Sequence, residues 1–129
     1  MGIILDSSAV LAVLMQEPGQ DAVKAALASG AGISAVNLAE VTTRLVQDGM
    51  PTDRAERVLA ALPIALHVLD YDLATQAGAL FAQTRPFSLS LGDRACLALA
   101  MRERLPVLTA DRTWAQAGPL VGVEVRLIR

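Results

Sequence analysis

Residues 1–14 read MGIILDSSAVLAVL and place a carboxylate where an apolar strand gives way to a helix. The run GIILD is too short and too rich in β-branched residues to form a helix alone, which indicates a strand buried on both faces. Asp6 ends this run, and residues 7–17 are predicted to be helical. An aspartate at such a junction either caps the helix or takes part in chemistry. The rest of the sequence decides between these two roles.

Predicted strands and helices alternate along most of the chain. Further strands are predicted at 31–35, 64–70, 106–111 and 123–128, and further helices at 19–30, 36–49, 51–62, 72–84, 93–105 and 112–118. Residues 85–92, RPFSLSLG, are expected to form an irregular connection. This alternation predicts a three-layer α/β/α sandwich with a mainly parallel central sheet. Without a repeat or a long linker, residues 1–129 are expected to form a single domain.

The composition excludes several classes of protein. Hydrophobic residues make up 53% of the 129 residues, but no apolar run reaches the roughly 18–20 residues of a membrane span. No basic segment precedes the first apolar run, so a signal peptide is not expected. The single cysteine, Cys96, excludes an internal disulfide, fits the reducing cytoplasm and is expected to be buried. A net charge of −2 is unusual for a nucleic-acid binder, although acidic residues with a bound metal ion can present a locally positive site.

Three aspartates occupy equivalent topological positions. Asp6 ends the first strand, Asp111 ends the strand PVLTAD, and Asp93 opens the helix DRACLALAM. Ligands of open parallel sheets bind beyond the carboxyl ends of the strands, so these side chains are expected to meet at one edge. Each one also fits a helix N-cap. Asp93 is the hardest to explain as a cap alone, because its helix is apolar nearly all round and a buried carboxylate is costly unless it is paired, capped or metal-bound.

Glu40 is a fourth acidic candidate. On a helical wheel it shares a face with Asn37, Thr43, Arg44 and Gln47. That face is also typical of a solvated helix surface, with Glu40 and Arg44 forming an ion pair worth a few tenths of a kcal/mol. Only the complete set of acids favours a functional role.

Four blocks of the sequence resemble the PIN domain. They are IILDSSAVLAVLMQEP, SAVNLAEV, LSLGDRACLALA and PVLTADRTWAQ. More narrowly, the chain resembles the VapC-type ribonuclease toxins of bacterial type II toxin–antitoxin pairs, and the resemblance runs almost end to end with all four acidic blocks in order. It implies a PIN-like fold, an expressed antitoxin partner, an RNA substrate and a homodimer. The cysteine content and the short apolar runs add the expectation of a cytoplasmic location and no membrane association.

The resemblance also implies roles for individual residues. Asp6, Glu40, Asp93 and Asp111 match the catalytic acidic cluster, with Asp6 and Asp93 as the principal metal ligands. Glu40 and Asp111 match the supporting acids, which bind a second ion, hold a water, or do both. The position of the last acid varies in the family, which makes the match of Asp111 the loosest. Small hydroxyl positions beside the cluster match Ser7 and Thr109, which are expected to orient a carboxylate or a water. From the sequence itself, Arg94 and Arg112 directly follow acids and are candidate phosphate contacts.

Carboxylates without His or Cys suit Mg²⁺ or Mn²⁺, which prefer oxygen ligands. Such an ion acidifies water and offsets charge on phosphate oxygens, so the expected reaction is hydrolysis of an RNA phosphodiester by metal-activated water. Glu40 or Asp111 would assist the attack of this water on phosphorus. The products would carry 5′-phosphate and 3′-hydroxyl ends.

Two other classes of function remain open at this point. One is a different Mg²⁺-dependent phosphoryl hydrolase, such as a phosphatase, although LDSSA lacks the second aspartate that such enzymes use two residues on. The other is a non-catalytic interaction module of the same fold. A hydrolase triad has little support, because His67 is the only histidine and is expected to be a half-buried strand residue. Asp72 is expected to cap the helix that follows it.

Overall fold

The computed structural model describes residues 2–129, which form a parallel sheet with helices on both faces. The strands are β1 (Ile3–Leu5), β2 (Ala31–Ser34), β3 (Ile64–His67), β4 (Val107–Thr109) and β5 (Val125–Leu127). The helices are α1 (Ser7–Leu14), α2 (Gln20–Ser29), α3 (Ala35–Gln47), α4 (Thr52–Ala60), α5 (Tyr71–Ala79), α6 (Phe81–Thr84), α7 (Leu91–Glu103) and α8 (Trp114–Leu120). A 3-10 turn covers Arg85–Phe87. The expected domain begins at Met1, which lies outside the described residues.

The strands lie in the order β3-β2-β1-β4-β5, and every neighbouring pair is parallel. Leu5 of β1 lies opposite Ile33 of β2 and Leu108 of β4. The strand that begins the chain is therefore the centre of the sheet, which is why its three residues are all buried. The predicted three-layer α/β/α sandwich with a parallel sheet is confirmed.

Alternate side chains of β1 enter two separate cores. Ile4 packs with the apolar side chains of α5, α7 and α8, including Leu73, Leu97 and Trp114. Ile3 and Leu5 pack on the other face of the sheet with residues of α1, α2, α3 and α4. Because successive strand side chains point to opposite faces, one continuous apolar run supplies both cores. This explains why GIILD shows no polar alternation.

Helix α7 is the most deeply buried helix segment of the first core. Its residues Ala95–Ala100 are all at most 1% exposed, as its nearly uniform apolar composition predicts. Cys96 lies among them, buried and free. The half-buried position of His67 at the end of β3 is also confirmed. Within residues 2–129, no helix is both long and apolar enough to cross a membrane.

The structure corrects the boundaries of several elements. Strand β4 ends at Thr109, so the prediction that Asp111 ends this strand was wrong, and Asp111 lies in the connection to α8. Helix α7 begins at Leu91, within the segment expected to be irregular, because the Ser90 side chain caps it. Strand β3 ends at His67 rather than at 70, and α5 then begins at Tyr71, because Asp70 accepts a hydrogen bond from the Leu73 N–H. The prediction of Asp72 as the cap was therefore wrong. The expected helix 72–84 is divided into α5 and α6.

Candidate active site

Polar side chains lie at the carboxyl ends of three neighbouring apolar strands. Asp6 comes directly after β1, while Ser34 ends β2 and Thr109 ends β4. All three are at most 5% exposed. Buried polar groups require hydrogen-bond partners, so this edge is a built polar site rather than a loop surface.

Asp6 is both a helix cap and the most heavily hydrogen-bonded acid of the site. Its Oδ1 accepts hydrogen bonds from the Ala9 backbone N–H at 2.9 Å and from the Ser8 hydroxyl at 2.7 Å. Its Oδ2 accepts one from the Thr109 hydroxyl at 2.6 Å. Capping and participation in a polar site are therefore combined in one carboxylate.

Burial raises the pKa of Asp6 to about 6, and the neighbouring charge of Asp93 acts in the same direction. The hydrogen bonds from Thr109, Ser8 and Ala9 favour the ionised form and offset part of this rise. A carboxylate that remains costly to ionise despite these donors is typical of a functional site.

Glu40 reaches the same site from α3. Its Oε1 accepts hydrogen bonds from the Ser7 hydroxyl and, at 2.8 Å, from the Asn37 side-chain amide. The carboxyl group lies against Gly92 of α7, where a Cβ atom would be 2.5 Å from Glu40 Cδ. Gly92 is therefore required for close approach within the first turn of α7 rather than for an irregular loop.

Asp93 joins the site from the first turn of α7. Its Oδ2 accepts a hydrogen bond from the Ser90 N–H at 2.9 Å, and the Ser90 hydroxyl accepts one from the Asp93 N–H at 3.1 Å, which together form a capping box. Burial raises the pKa of Asp93, opposed by the Ser90 hydrogen bonds and increased by the charges of Asp111 and Glu40. Glu40 lies against Gly92, the residue before Asp93, so the structure brings these two predicted acids together.

Asp111 forms the exposed rim of the site. Its backbone N–H donates to Thr109 Oγ1 at 3.0 Å, and its Oδ1 accepts from the N–H and the hydroxyl of Thr113. Thr109 thus contacts both Asp6 and Asp111, which places a hydroxyl between the buried and exposed parts of the cluster.

Each carboxylate is held mainly through one of its oxygens. Asp6 Oδ2 accepts a single hydrogen bond, and, among the described residues, Glu40 Oε2, Asp93 Oδ1 and Asp111 Oδ2 accept none. Anchored carboxylates with free lone pairs are able to bind a cation or a water without first being reoriented.

The donor set suits a hard divalent cation. Within residues 2–129, no three His, Cys, Asp or Glu side chains are arranged as a complete metal-binding group. Mg²⁺ commonly uses one or two direct carboxylates and retains several waters, so the chemistry of these oxygen donors fits such an ion.

Sequence reasoning missed two members of the site, Ser8 and Asn37. The Ser8 hydroxyl donates to Asp6 and accepts from the Ala110 N–H at 2.9 Å. Asn37 is 1% exposed and contacts Glu40 and Ser7. The spacing of Asn37 three residues before Glu40 was the only available signal, and it is equally typical of a solvated face.

The two arginines differ from the acids in their placement. Arg94 is directed away from the carboxylates: its Nη1 donates to the carbonyls of Ala77 and Gly78 at 3.1 and 3.3 Å, and its guanidinium lies 5.4 Å from the Phe81 ring centroid. These contacts near the end of α5 are sufficient to explain the position of the Arg94 side chain, and none of them requires a bound phosphate. Arg112 is exposed beside Asp111.

A family model for the PIN domain matches residues 3–119, so the chain belongs to the PIN domain family. No curated protein sequence matches the chain significantly. The family model covers β1, β2 and β4 and all four acids of the site.

Solved structures of toxin–antitoxin proteins share this fold. DNA-bound VapBC from Salmonella typhimurium has a TM-score of 0.77 at 15% identity, covering 100% of this chain and 99% of that chain. The sarcin–ricin-loop-cleaving toxin VapC20 of Mycobacterium tuberculosis has a TM-score of 0.75 at 18% identity, covering 91% and 95%. A toxin–antitoxin complex from Klebsiella pneumoniae has a TM-score of 0.72 at 20% identity, covering 99% and 98%. The chain therefore has the fold of VapC toxins over nearly its whole length.

Proposed function

We propose that this protein is a metal-dependent endoribonuclease and the toxin of a type II toxin–antitoxin pair, formed by residues 1–129 as a single PIN domain. The observation that carries the proposal is the convergence of Asp6, Glu40, Asp93 and Asp111 at the carboxyl edge of the sheet, each with an oxygen available. A non-catalytic module of this fold would not need four carboxylates at one edge, where burial, together with the charges of Asp111 and Glu40, raises the pKa of Asp93.

Asp6 and Asp93 would hold Mg²⁺ or Mn²⁺. When bound, such an ion offsets charge on the phosphate oxygens and lowers the pKa of water. The hydroxyls of Ser8 and Thr109 keep Asp6 in one orientation, so no rearrangement of this carboxylate is needed.

Glu40 and Asp111 would act on the attacking water. In hydrolysis the bond from phosphorus to the 3′-oxygen breaks, and that oxygen takes up a proton from solvent. A water oxygen forms the new bond to phosphorus, and the water gives up a proton. Glu40 Oε2 or Asp111 Oδ2 can accept that proton, since the other oxygen of each is already occupied. The products would be a 5′-phosphate and a 3′-hydroxyl. Arg112 at the exposed rim remains a predicted phosphate contact.

The expected partners are RNA, a cognate antitoxin and a second copy of this chain, all in the cytoplasm. The related structures from Klebsiella pneumoniae and Salmonella typhimurium are of toxin–antitoxin proteins. Exposed apolar side chains support protein contacts here as well: Leu66 is 52%, Val68 65% and Tyr71 85% exposed, all in or just after the edge strand β3.

The proposal is tested by incubating purified, antitoxin-free protein with total RNA, with Mn²⁺, with Mg²⁺ and with EDTA. Cleavage is expected with either ion and not with EDTA, and Asp93→Asn should abolish it because Asn provides a weaker, neutral ligand. Undiminished cleavage by Asp93→Asn would overturn the mechanism. Hydrolysis of a phosphate monoester in place of RNA would favour the phosphatase alternative.

A further inference from the structure

We propose that Asn37 is a positioning residue, whose side-chain amide fixes the Glu40 carboxylate against helix α7. Asn37 is 1% exposed, and its Nδ2 donates to Glu40 Oε1 at 2.8 Å, to Ser7 Oγ at 3.2 Å and to the Gly92 carbonyl at 3.2 Å. One amide thereby joins residues that start α1, lie within α3 and start α7. The inference rests on the proposed function in so far as it assigns Glu40 a role in the reaction.

The orientation of the amide follows from its contacts with Ser34. The Ser34 hydroxyl oxygen accepts a hydrogen bond from the Asn37 backbone N–H at 3.1 Å, which caps α3. The same hydroxyl donates its proton to Asn37 Oδ1 at 2.8 Å. Oδ1 is thus committed to Ser34, and both N–H bonds of Nδ2 face the Glu40 side of the site.

The Glu40 carboxylate is thereby constrained on two sides. Asn37 and Ser7 both donate to Oε1, while the absence of a side chain at Gly92 gives the carboxyl group its place, since a Cβ there would be 2.6 Å from Oε1. Rotation of the Glu40 carboxylate would break two hydrogen bonds, so Oε2 keeps one direction. A solvated glutamate would need none of these contacts.

The first variant is Asn37→Leu, which keeps a similar volume and removes both polar groups of the amide. We expect the rate of RNA cleavage to fall by about 10–100-fold, the usual effect of removing a group that orients a carboxylate of a metal site. Mn²⁺ affinity should fall by a similar factor, because a displaced Glu40 carboxylate would no longer hold the water or second ion expected at the supporting acids. Thr84→Val is the matched control. Thr84 is equally buried at 1%, and its hydroxyl bonds the Leu80 carbonyl at 2.8 Å. It should lower the melting temperature while leaving both functional readouts unchanged.

A double-mutant cycle with Glu40→Gln distinguishes positioning from general support of the fold. If Asn37 acts through the Glu40 carboxylate, Asn37→Leu should cost 10-fold or more in the wild type but less than about threefold in the Glu40→Gln background. Mn²⁺ affinity is measured in the same four proteins by electron paramagnetic resonance, independently of RNA cleavage. Should Asn37→Leu fail to fold, Asn37→Ser replaces it in the same cycle with the same expectation.

Equal losses in both backgrounds, or an Asn37→Leu variant as active and as tightly bound to Mn²⁺ as Thr84→Val, would overturn the inference. Absence of RNA cleavage by the wild type would contradict the proposed function instead. In that case the Mn²⁺ titrations of the four proteins still decide whether Asn37 acts through Glu40.

Discussion

Asp6 and Asp70 cap helices in the same way, yet they lie in opposite electrostatic environments. Asp6 accepts the Ala9 N–H at 2.9 Å, and Asp70 accepts the Leu73 N–H at 2.8 Å. Burial raises the pKa of Asp6 to about 6. The Leu73 N–H, together with Arg102 at 2.8 Å, holds the pKa of Asp70 below its usual range, and Asp70 is exposed.

The difference follows from the order of the strands. Asp6 follows β1, which has β2 and β4 as neighbours, whereas Asp70 follows β3 at the edge of the sheet. The central position surrounds Asp6 with the ends of other strands and with other acids. The edge position leaves Asp70 exposed to solvent beside the Arg102 side chain. The same local pattern, a strand followed by a capping aspartate, thus gives a candidate metal ligand at one place and a structural cap at the other.

The largest expected effect comes from replacing each of these aspartates by asparagine. Asn is as good an N-cap as Asp, so both variants should keep their helices. Asp6→Asn removes a charged oxygen ligand and should lower RNA cleavage on the order of 10³-fold, comparable to the loss of an electrostatic catalytic group. Asp70→Asn should cleave RNA at the wild-type rate. The two variants are compared in the same gel-based assay under saturating Mn²⁺.

Equal activity of the two variants would remove the distinction between them. Circular dichroism of both proteins is the control for folding, because a loss of helix in Asp6→Asn alone would explain lost activity by structure rather than by chemistry.

The next effect is on the pH dependence of stability without metal. The pKa of Asp6 is higher in the folded chain than its ordinary value of 3.8, so ionised Asp6 destabilises the fold above pH 6 and this cost is relieved as the pH falls. A shift of this size corresponds to roughly 3 kcal/mol. In EDTA, the unfolding free energy of the wild type should rise by most of that amount relative to Asp6→Asn between pH 7.5 and 4.

Asp70 should show the opposite sign. Because the pKa of Asp70 is lowered in the folded chain, ionised Asp70 stabilises the fold at any pH above its ordinary pKa of 3.8. That stabilisation is lost only as the pH falls below about 4, towards the lowered pKa of the folded chain. Urea unfolding curves at several pH values measure both effects. Parallel pH profiles for the wild type and Asp6→Asn would contradict the assignment of the raised pKa to Asp6.

A smaller effect is expected from two glycine substitutions. Gly92→Ala places a methyl group 2.5 Å from Glu40 Cδ, so Glu40 must move. We expect a loss of about 1–3 kcal/mol in unfolding free energy from overpacking and a fall of about 10–100-fold in RNA cleavage. Gly78→Ala in α5 is the matched control, since nothing lies within 4 Å of the added methyl group. It should stabilise the protein by about 0.5–1 kcal/mol and leave cleavage unchanged.

The smallest expected effect is the loss of the cap at the edge of the sheet. Asp70→Ala removes the acceptor for the Leu73 N–H and should lower the unfolding free energy by about 1 kcal/mol. RNA cleavage should be unaffected. A strong loss of activity in this variant would show that the edge position is not functionally separate from the cluster.

The sequence predicted the fold largely because short apolar runs alternate with helical segments along the chain. In β1 the uniform burial of Ile3, Ile4 and Leu5 could be inferred, since a parallel strand covered on both faces lacks polar alternation. Boundaries failed where a different residue from the expected one caps the helix, as Ser90 does for α7 and Asp70 for α5. Gly92 resembles a loop residue but lies in the first turn of α7, where its missing side chain leaves room for Glu40.

The acids of the site were likewise identifiable, but their supporting groups were not. Asp6, Asp93 and Asp111 stand at strand ends and helix starts, which are positions visible in the sequence. Asn37 belongs to the site because of contacts with Ser7 and Gly92, which lie 30 and 55 residues away. No local pattern reveals such contacts. For the same reason Arg94, adjacent to Asp93, was expected near the site and is instead bonded to α5.

The most direct test of the account is calorimetric titration of Mn²⁺ into the wild type, Asp6→Asn and Asp70→Asn. We expect the wild type and Asp70→Asn to bind Mn²⁺ with the same affinity. Asp6→Asn should bind more than about 100-fold more weakly, beyond the usual cost of losing a group that only orients a ligand. Equal Mn²⁺ affinity in all three proteins would contradict the claim that the central aspartate is a metal ligand and the edge aspartate only a cap.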